Sequence, residues 1–294
     1  MEPNYSIEGL TVNLHITRKC NIRCDYCFAV YKKIPDLSIE SWIEILKKLR
    51  EAKVKKINFS GGEPLVYRGL EKLLKLSRRL EFKTSIVTNG ILLSDDWLRD
   101  NIENIDIMAV SLDTGNESIQ QSLNRGSGNY VTQTKRRFQE IRYWSKELNH
   151  PVYLKINTMV NRLNKEDNPL SILLELNPDR VKFLQFCVME GENDKFAKKL
   201  SISEKEFQNY VERVRPSLEK SGITVVSETE EMLWSSYLIL DPQGRFCDKR
   251  HGKNKFGYSL AKNSLSDSLG SLYSPTDIEL IRKKMVERKG LYPL

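Results

Sequence analysis

No run of apolar residues in this 294-residue sequence approaches the 18 or more that a membrane-spanning helix needs. The opening, MEPNYSIEGL, has no basic stretch followed by an apolar one, so no signal peptide is expected and a cytoplasmic location is. Glycine and proline, at 15 and 10 residues, exclude collagen-like or low-complexity character. Internal repeats, linkers and an acidic tail are missing. So are the aromatic motifs of RNA-reading modules, which argues against stable nucleic-acid binding. Cysteine is scarce and odd in number, at five, yet three of the five fall within eight residues. Without export signals, that crowding favours a metal or cluster over disulfides.

What is there suits a globular chain of one large or two medium domains: 39% hydrophobic and 29% charged residues. Basic residues exceed acidic ones by 47 − 39 = 8. That excess suits an anionic partner, such as nucleic acid, a membrane surface or a polyphosphate; a solvated basic surface is the plainer alternative.

Short β-rich runs alternate with segments of helical period. TVNLHIT (Thr11 to Thr17), KKINFS, KTSIVTNG, DIMAVSLD, VYLKINTMV and RVKFLQFCVM read as six strands. Helices are expected between them, including Ile39 to Ala52, Thr132 to Leu148 and Glu204 to Leu218. After Gly222 the rhythm changes to one more strand (ITVVSE), a hairpin turning at Asp241-Pro242-Gln243-Gly244, and a basic helix. The fold expected is α/β: a partial (β/α)6, TIM-like barrel closed by a C-terminal extension. The expected divisions are a leader at 1–10, the barrel at 11–222, and at 223–294 an extension covering the substrate site. In such folds ligands gather at the carboxyl ends of the strands.

Cys20, Cys24 and Cys27 follow the first strand. Three thiolates at this spacing can each hold one iron of a cubane and leave the fourth iron open; zinc would ordinarily want a fourth Cys or His. Arg23 and Lys19 are the nearby cations that could lower the thiol pKa values. Ser60-Gly61-Gly62-Glu63-Pro64 ends the second strand, where two glycines allow close backbone approach and Glu63 could accept from an ammonium.

Alternation places Lys155 with Asn157, Arg180 with Lys182, and Lys56 with Asn58 on common strand faces. Inward-facing cations on three strands are costly without an anion, which points to a polyphosphate. The alternative is that they are strand-start residues reaching solvent or paired with carboxylates. Arg245, Lys249 and Arg250 in the hairpin could add a clamp or simply form a basic face. Asn13 and His15 also share a face, with a satisfied core histidine as the alternative for His15. Tyr237, among apolar neighbours, could be a core tyrosine needing one hydrogen bond. Cys187 and Cys247 read as structural.

The C-x3-C-x2-C loop with Tyr26 before its last cysteine, followed by Gly61-Gly62-Glu63, resembles the radical S-adenosylmethionine (SAM) superfamily. The resemblance implies a [4Fe–4S] cluster on Cys20, Cys24 and Cys27, and SAM as the second cofactor. Gly61, Gly62 and Glu63 would meet its methionine amino group; Asn89, Ser111 and Arg125 would meet its ribose and carboxylate.

Further segments are similar to viperin and its prokaryotic relatives, from about Val12 to Asp241: Asn13-Leu-His15-Ile-Thr17-Arg18, Lys56-Ile-Asn58-Phe-Ser60, Lys155-Ile-Asn157, Arg180-Val-Lys182, Glu190-Gly-Glu-Asn193 and Ser236-Tyr237 to Asp241. That family's membrane helix and tryptophan tail, as in vertebrates, have no counterpart in this sequence.

The implied activity is dehydration of a nucleoside triphosphate (CTP, UTP or GTP, pyrimidine favoured) to a 3′-deoxy-3′,4′-didehydro nucleotide that terminates viral RNA chains. Asn13, His15, Lys56, Asn58, Ser60, Lys155, Asn157, Arg180, Lys182 and Arg245 would bind substrate, and Tyr237 would quench the substrate radical. An external donor of flavodoxin or ferredoxin type would supply electrons. Peptide or cofactor maturation by the same cofactors, and a basic nucleotide- or RNA-binding module with structural zinc, are the other readings.

Overall fold

The structure, a computed structural model, describes residues 5–31, 35–126 and 128–289. The terminal LYPL, and Lys32, Lys33 and Ile34 after the cysteine loop, lie outside them. The chain forms two compact units. One comprises Met1–Cys20, Ala29–Ile86 and Trp234–Leu294; the other comprises Asn21–Phe28 and Val87–Leu233.

In chain order the early elements are β1 (Thr11–Thr17), α1 (Ile39–Glu51), β2 (Lys56–Gly61), α2 (Leu70–Arg79) and β3 (Lys83–Thr88). Then come α3 (Asp95–Asn101), β4 (Ile107–Ser111), α4 (Glu117–Ser122), α5 (Tyr130–Glu147), β5 (Tyr153–Val160), α6 (Leu170–Leu176) and β6 (Arg180–Gln185). They are followed by α7 (Ala197–Leu200), α8 (Glu204–Lys220), β7 (Thr224–Glu228) and α9 (Glu230–Ser235). Last are β8 (Leu238–Leu240), β9 (Arg245–Asp248), β10 (Lys255–Ser259), α10 (Leu265–Gly270) and α11 (Pro275–Lys289). Among the described residues no helix is long and apolar enough to cross a membrane.

In the first unit β1 pairs in parallel with β2 on one side and β8 on the other, and β2 pairs in parallel with β3. The expected hairpin forms: β8 meets β9 antiparallel across the turn at Asp241, where Gly244 adopts the left-handed φ of +68°. One face of this sheet is largely apolar, with Val12, Leu14, Ile57, Phe59 and Ile86 wholly buried. Helix α1 buries Trp42, Ile45, Leu46 and Leu49. Each such side chain contributes about 1.5–3 kcal/mol. The helix starts where Ser38 accepts from the Ser41 amide, a cap that satisfies one otherwise orphaned donor.

In the second unit β4, β5, β6 and β7 run parallel in sequence order. The helices between them supply the crossovers that parallel pairing requires. Helix α8 opens with a reciprocal capping box between Ser203 and Glu206 and buries Phe207, Tyr210, Val211, Val214 and Leu218.

Several elements depart from the sequence reading. Strand β10, antiparallel to β9, lies in a segment to which the sequence reading assigns no strand, and Gly257 interrupts it. There a Cβ would stand 2.6 Å from Ser271 Oγ, so close packing onto α10, not strand propensity, fixes the segment. Helix α9 takes residues up to Ser235, leaving the first arm of the expected hairpin only Leu238–Leu240.

Candidate functional site

In the first unit, the sheet face opposite the apolar one is polar. Parallel register aligns Thr11 with Lys56, Asn13 with Asn58, His15 with Ser60 and Thr17 with Gly61. Asn58 Nδ2 donates to Asn13 Oδ1 at 2.8 Å, and Asn13 Nδ2 donates to the Leu238 carbonyl at 3.2 Å. The faces expected for Asn13 with His15 and for Lys56 with Asn58 form, and the register sets them side by side together with Ser60, with Lys56 at the strand start. Tyr237 is half-buried, directly before β8.

His15 is buried and bonded: the Tyr31 hydroxyl lies 2.6 Å from its Nδ1, with the rings edge-on at 5.5 Å. Burial first, and then the Lys249 ammonium, hold its pKa well below the usual histidine range. Lys249 Nζ also stands 5.4 Å from the Tyr31 ring centroid. Sequence reasoning did not nominate Tyr31, since nothing local marks a tyrosine that far from His15 as its partner. Arg245 is held by Asp241, with Nη2 to Oδ2 at 2.6 Å, and packs its guanidinium over Phe256 at 4.2 Å. Its contacts serve the hairpin.

The glycine segment is strapped to the start of the cysteine loop. The Gly62 amide donates to the Thr17 carbonyl at 2.7 Å and the Glu63 amide to the Lys19 carbonyl at 2.8 Å. A Cβ on Gly62 would stand 2.1 Å from the Lys19 carbonyl oxygen; one on Gly61, whose φ is +126°, would stand 2.5 Å from that of Thr17. Only glycine fits either position. Glu63 is buried, its Oε1 accepting from the Leu65 amide at 3.2 Å.

In the second unit, Arg125 is the hub. It is buried, and its Nη1 points at Cys24 Sγ at 3.7 Å while Nη2 donates to the Ser111 carbonyl at 3.0 Å. Its Nε stands 3.3 Å from Asp113 Oδ2, which accepts from the Tyr26 hydroxyl at 2.6 Å. Short contacts join Arg125 to the Tyr26 and Tyr130 hydroxyls, and Tyr130 donates to the Asn89 carbonyl at 2.7 Å. Burial opposes the Arg125 charge, but Tyr130, Tyr26 and Asp113 hold its pKa well above the usual value. The cation beside the thiol thus comes from a residue 101 positions away, whereas Arg23 and Lys19, nominated by proximity in sequence, are exposed. Asn89 Nδ2 donates to Asn21 Oδ1 at 2.7 Å, tying the loop to the end of β3.

Register aligns Ser111, Asn157 and Lys182 in one row across β4, β5 and β6, and Ala109, Lys155 and Arg180 in the row beside it. The expected polar face of this unit is therefore real. The carboxylate alternative also holds for one member: Lys182 Nζ lies 2.6 Å from Glu228 Oε1, both buried. Arg180 lies 5.0 Å over the Tyr153 ring. Glu228 escaped sequence reasoning because its partner is on the neighbouring strand.

Three thiols in one loop, with a guanidinium at one of them, form a donor set suited to an anionic thiolate cluster. Among the described residues no three His, Cys, Asp or Glu side chains group around a single metal ion, an arrangement that separate-iron ligation by a cubane does not require.

The profile of the Radical SAM superfamily matches residues 14–167. The chain is 36% identical over 269 residues to the S-adenosylmethionine-dependent nucleotide dehydratase RSAD2 of Danio rerio, covering 88% of this chain and 72% of that protein. It is 31% identical over 291 residues to the S-adenosylmethionine-dependent nucleotide dehydratase of Lacinutrix mariniflava, covering 96% of this chain but only 58% of that protein's length. Among solved structures, Streptococcus suis SuiB bound to S-adenosylmethionine superposes with a TM-score of 0.69 at 17% identity, over 90% of this chain and 66% of SuiB. Native anSMEcpe with bound AdoMet and a peptide gives 0.71 at 15% identity, over 94% and 83%. These likenesses show the fold, the α/β partial barrel expected from the sequence.

Proposed function

Since the chain belongs to the radical SAM superfamily and, within it, to the S-adenosylmethionine-dependent nucleotide dehydratases of the viperin family, we propose that it dehydrates a nucleoside triphosphate to the 3′-deoxy-3′,4′-didehydro nucleotide. The observation that carries this reading is the registered polar face of the second unit, which gathers Lys155, Arg180 and Lys182 with Asn157 and Ser111. A triphosphate needs convergent cations and neutral donors, and this face offers both.

Cys20, Cys24 and Cys27 would hold a [4Fe–4S] cluster. Gly61, Gly62 and Glu63 would take the amino group of SAM; Asn89, Ser111 and Arg125 would take its ribose and carboxylate. Bound there and reduced by a flavodoxin- or ferredoxin-type donor, these cofactors would supply hydrogen-atom abstraction at the ribose C4′ and the electrons for net loss of the 3′-hydroxyl, with a proton, as water.

The protein's own work is orientation and exclusion of water. Asn13, Asn58, Ser60 and His15 offer hydrogen bonds to the nucleoside, with Lys56 at the border of that face. His15 serves there as a neutral hydrogen-bonding group, because burial and Lys249 disfavour its charged form. Tyr237 is the residue assigned to the substrate radical. We place the enzyme in the cytoplasm, with chain termination of viral RNA as the use of its product, and leave the extension at 223–294 as the cover of the substrate site.

The test is anaerobic turnover with dithionite and SAM, offering CTP, UTP, GTP and ATP separately. A nucleotide lighter by one water, formed together with 5′-deoxyadenosine, is the expected result, with a pyrimidine preferred. Turnover of a peptide with none of the four nucleotides overturns it.

A further inference from the structure

The two residues between the second and third cluster cysteines are each tethered by several hydrogen bonds. Cys27 donates its amide to the Cys24 carbonyl at 3.1 Å, closing a turn around Asp25 and Tyr26. Asp25 is buried, and its Oδ2 lies 2.6 Å from Lys199 Nζ on α7. Its Oδ1 accepts from Asn124 Nδ2, and its amide donates to the Leu123 carbonyl at 3.2 Å. Lys199 donates a second time, to the Ser122 carbonyl at 2.7 Å, at the end of α4. Tyr26 is fixed at both ends: its carbonyl accepts from Asn193 Nδ2 at 3.0 Å and its hydroxyl donates to Asp113.

A buried carboxylate costs stability unless it is paired and hydrogen-bonded, so a chain that needed Asp25 only as filler would do better with an apolar residue. Its position, between two ligands, gives the cost a use. We propose that Asp25 and Lys199 form a latch that positions the Cys24–Cys27 turn for the cluster, making both of them positioning residues for iron retention. The latch anchors the turn to α4 and α7, so Cys24 and Cys27 keep their places while iron is exchanged or attacked by chelator. The inference rests on the cluster assignment made above.

The test reads cluster loss, not turnover. Reconstituted parent, Lys199→Met, Lys199→Arg and Asp25→Asn are exposed anaerobically to an iron chelator, and the decay of the cluster absorbance is followed. Lys165→Met, which breaks the Lys165–Glu206 pair elsewhere in the same unit, serves as the control for general loosening. Thermal melts of the iron-free proteins verify that each is folded at the assay temperature. Lys199→Met and Asp25→Asn should lose iron about tenfold faster, the factor that corresponds to roughly 1.4 kcal/mol. Lys199→Arg should restore most of the parent's rate, and Lys165→Met should match the parent. Unchanged decay in Lys199→Met and Asp25→Asn overturns the latch, as does equal acceleration in the control. A parent that takes up no iron overturns the cluster assignment itself, and the latch with it.

Discussion

Lys182 and Glu228 form a buried ion pair across neighbouring parallel strands, 2.6 Å apart, with the carboxylate wholly shielded from solvent. Lys182 therefore has two tasks: it neutralises Glu228 within the sheet, and it is the cation proposed for the triphosphate. Removing the ammonium alone breaks this buried ion pair from one side. Lys182→Met should cost about 3–5 kcal/mol of stability in urea denaturation. The double variant Lys182→Met/Glu228→Gln should recover most of that loss while still failing to bind nucleotide. Full nucleotide affinity in the double variant would remove Lys182 from the binding face.

His15 makes a pH prediction whose sign follows from its burial. Its folded pKa is depressed by burial and by Lys249, so below about pH 6.5 the unfolded chain takes up a proton that the folded chain refuses. The stability tied to His15 is complete above that value and is lost as pH falls toward the lowered folded pKa. The loss is at most about 1.4 kcal/mol per pH unit. Denaturation midpoints at about pH 7.5 and about pH 5.5 should differ more in the parent than in His15→Gln.

Gly62→Ala probes the strap between the glycine segment and the cysteine loop. The added Cβ would meet the Lys19 carbonyl carbon at 2.6 Å, and that neighbour is backbone. The loop must shift or the strand must bulge, at about 1–3 kcal/mol. The variant should fold, bind SAM at least tenfold more weakly in calorimetry, and lose turnover. Unaltered SAM affinity would detach the segment from that role.

The cysteines divide by environment. Burial pushes the Cys247 thiol up to about 12, so it stays protonated at neutral pH. Cys247→Ser should retain the iron content of the parent, whereas Cys24→Ala should lose the cluster absorbance altogether. Iron analysis after anaerobic reconstitution separates the two.

Much of this was legible in the sequence because it is local. Strands β1 to β6 announce themselves as apolar runs between turn residues, and strand alternation foretells that Lys155 shares a face with Asn157. The cysteine spacing and the two glycines are likewise short-range features. What escaped depends on contacts between distant residues. Arg125 reaches Cys24, Tyr31 reaches His15, and Lys199 reaches Asp25; no periodicity links such pairs. The residues of β10 escaped for another reason: a glycine needed for close packing lowers strand propensity, and tertiary contact overrides it.

Strand β1 leans on β8 as well as β2, and the Asn13 side chain bonds a carbonyl 225 residues downstream. During synthesis the ribosome releases all of Val87–Leu233 before β8 exists, so the second unit can collapse while β1 still waits for a neighbour. The first strand made is thus among the last completed. Meanwhile β1 exposes an unpaired edge beside hydrophobic Val12 and Leu14, a condition that invites pairing with other nascent chains. Expression of this protein should therefore depend strongly on chaperone supply and translation rate, with its early edge as the point of failure.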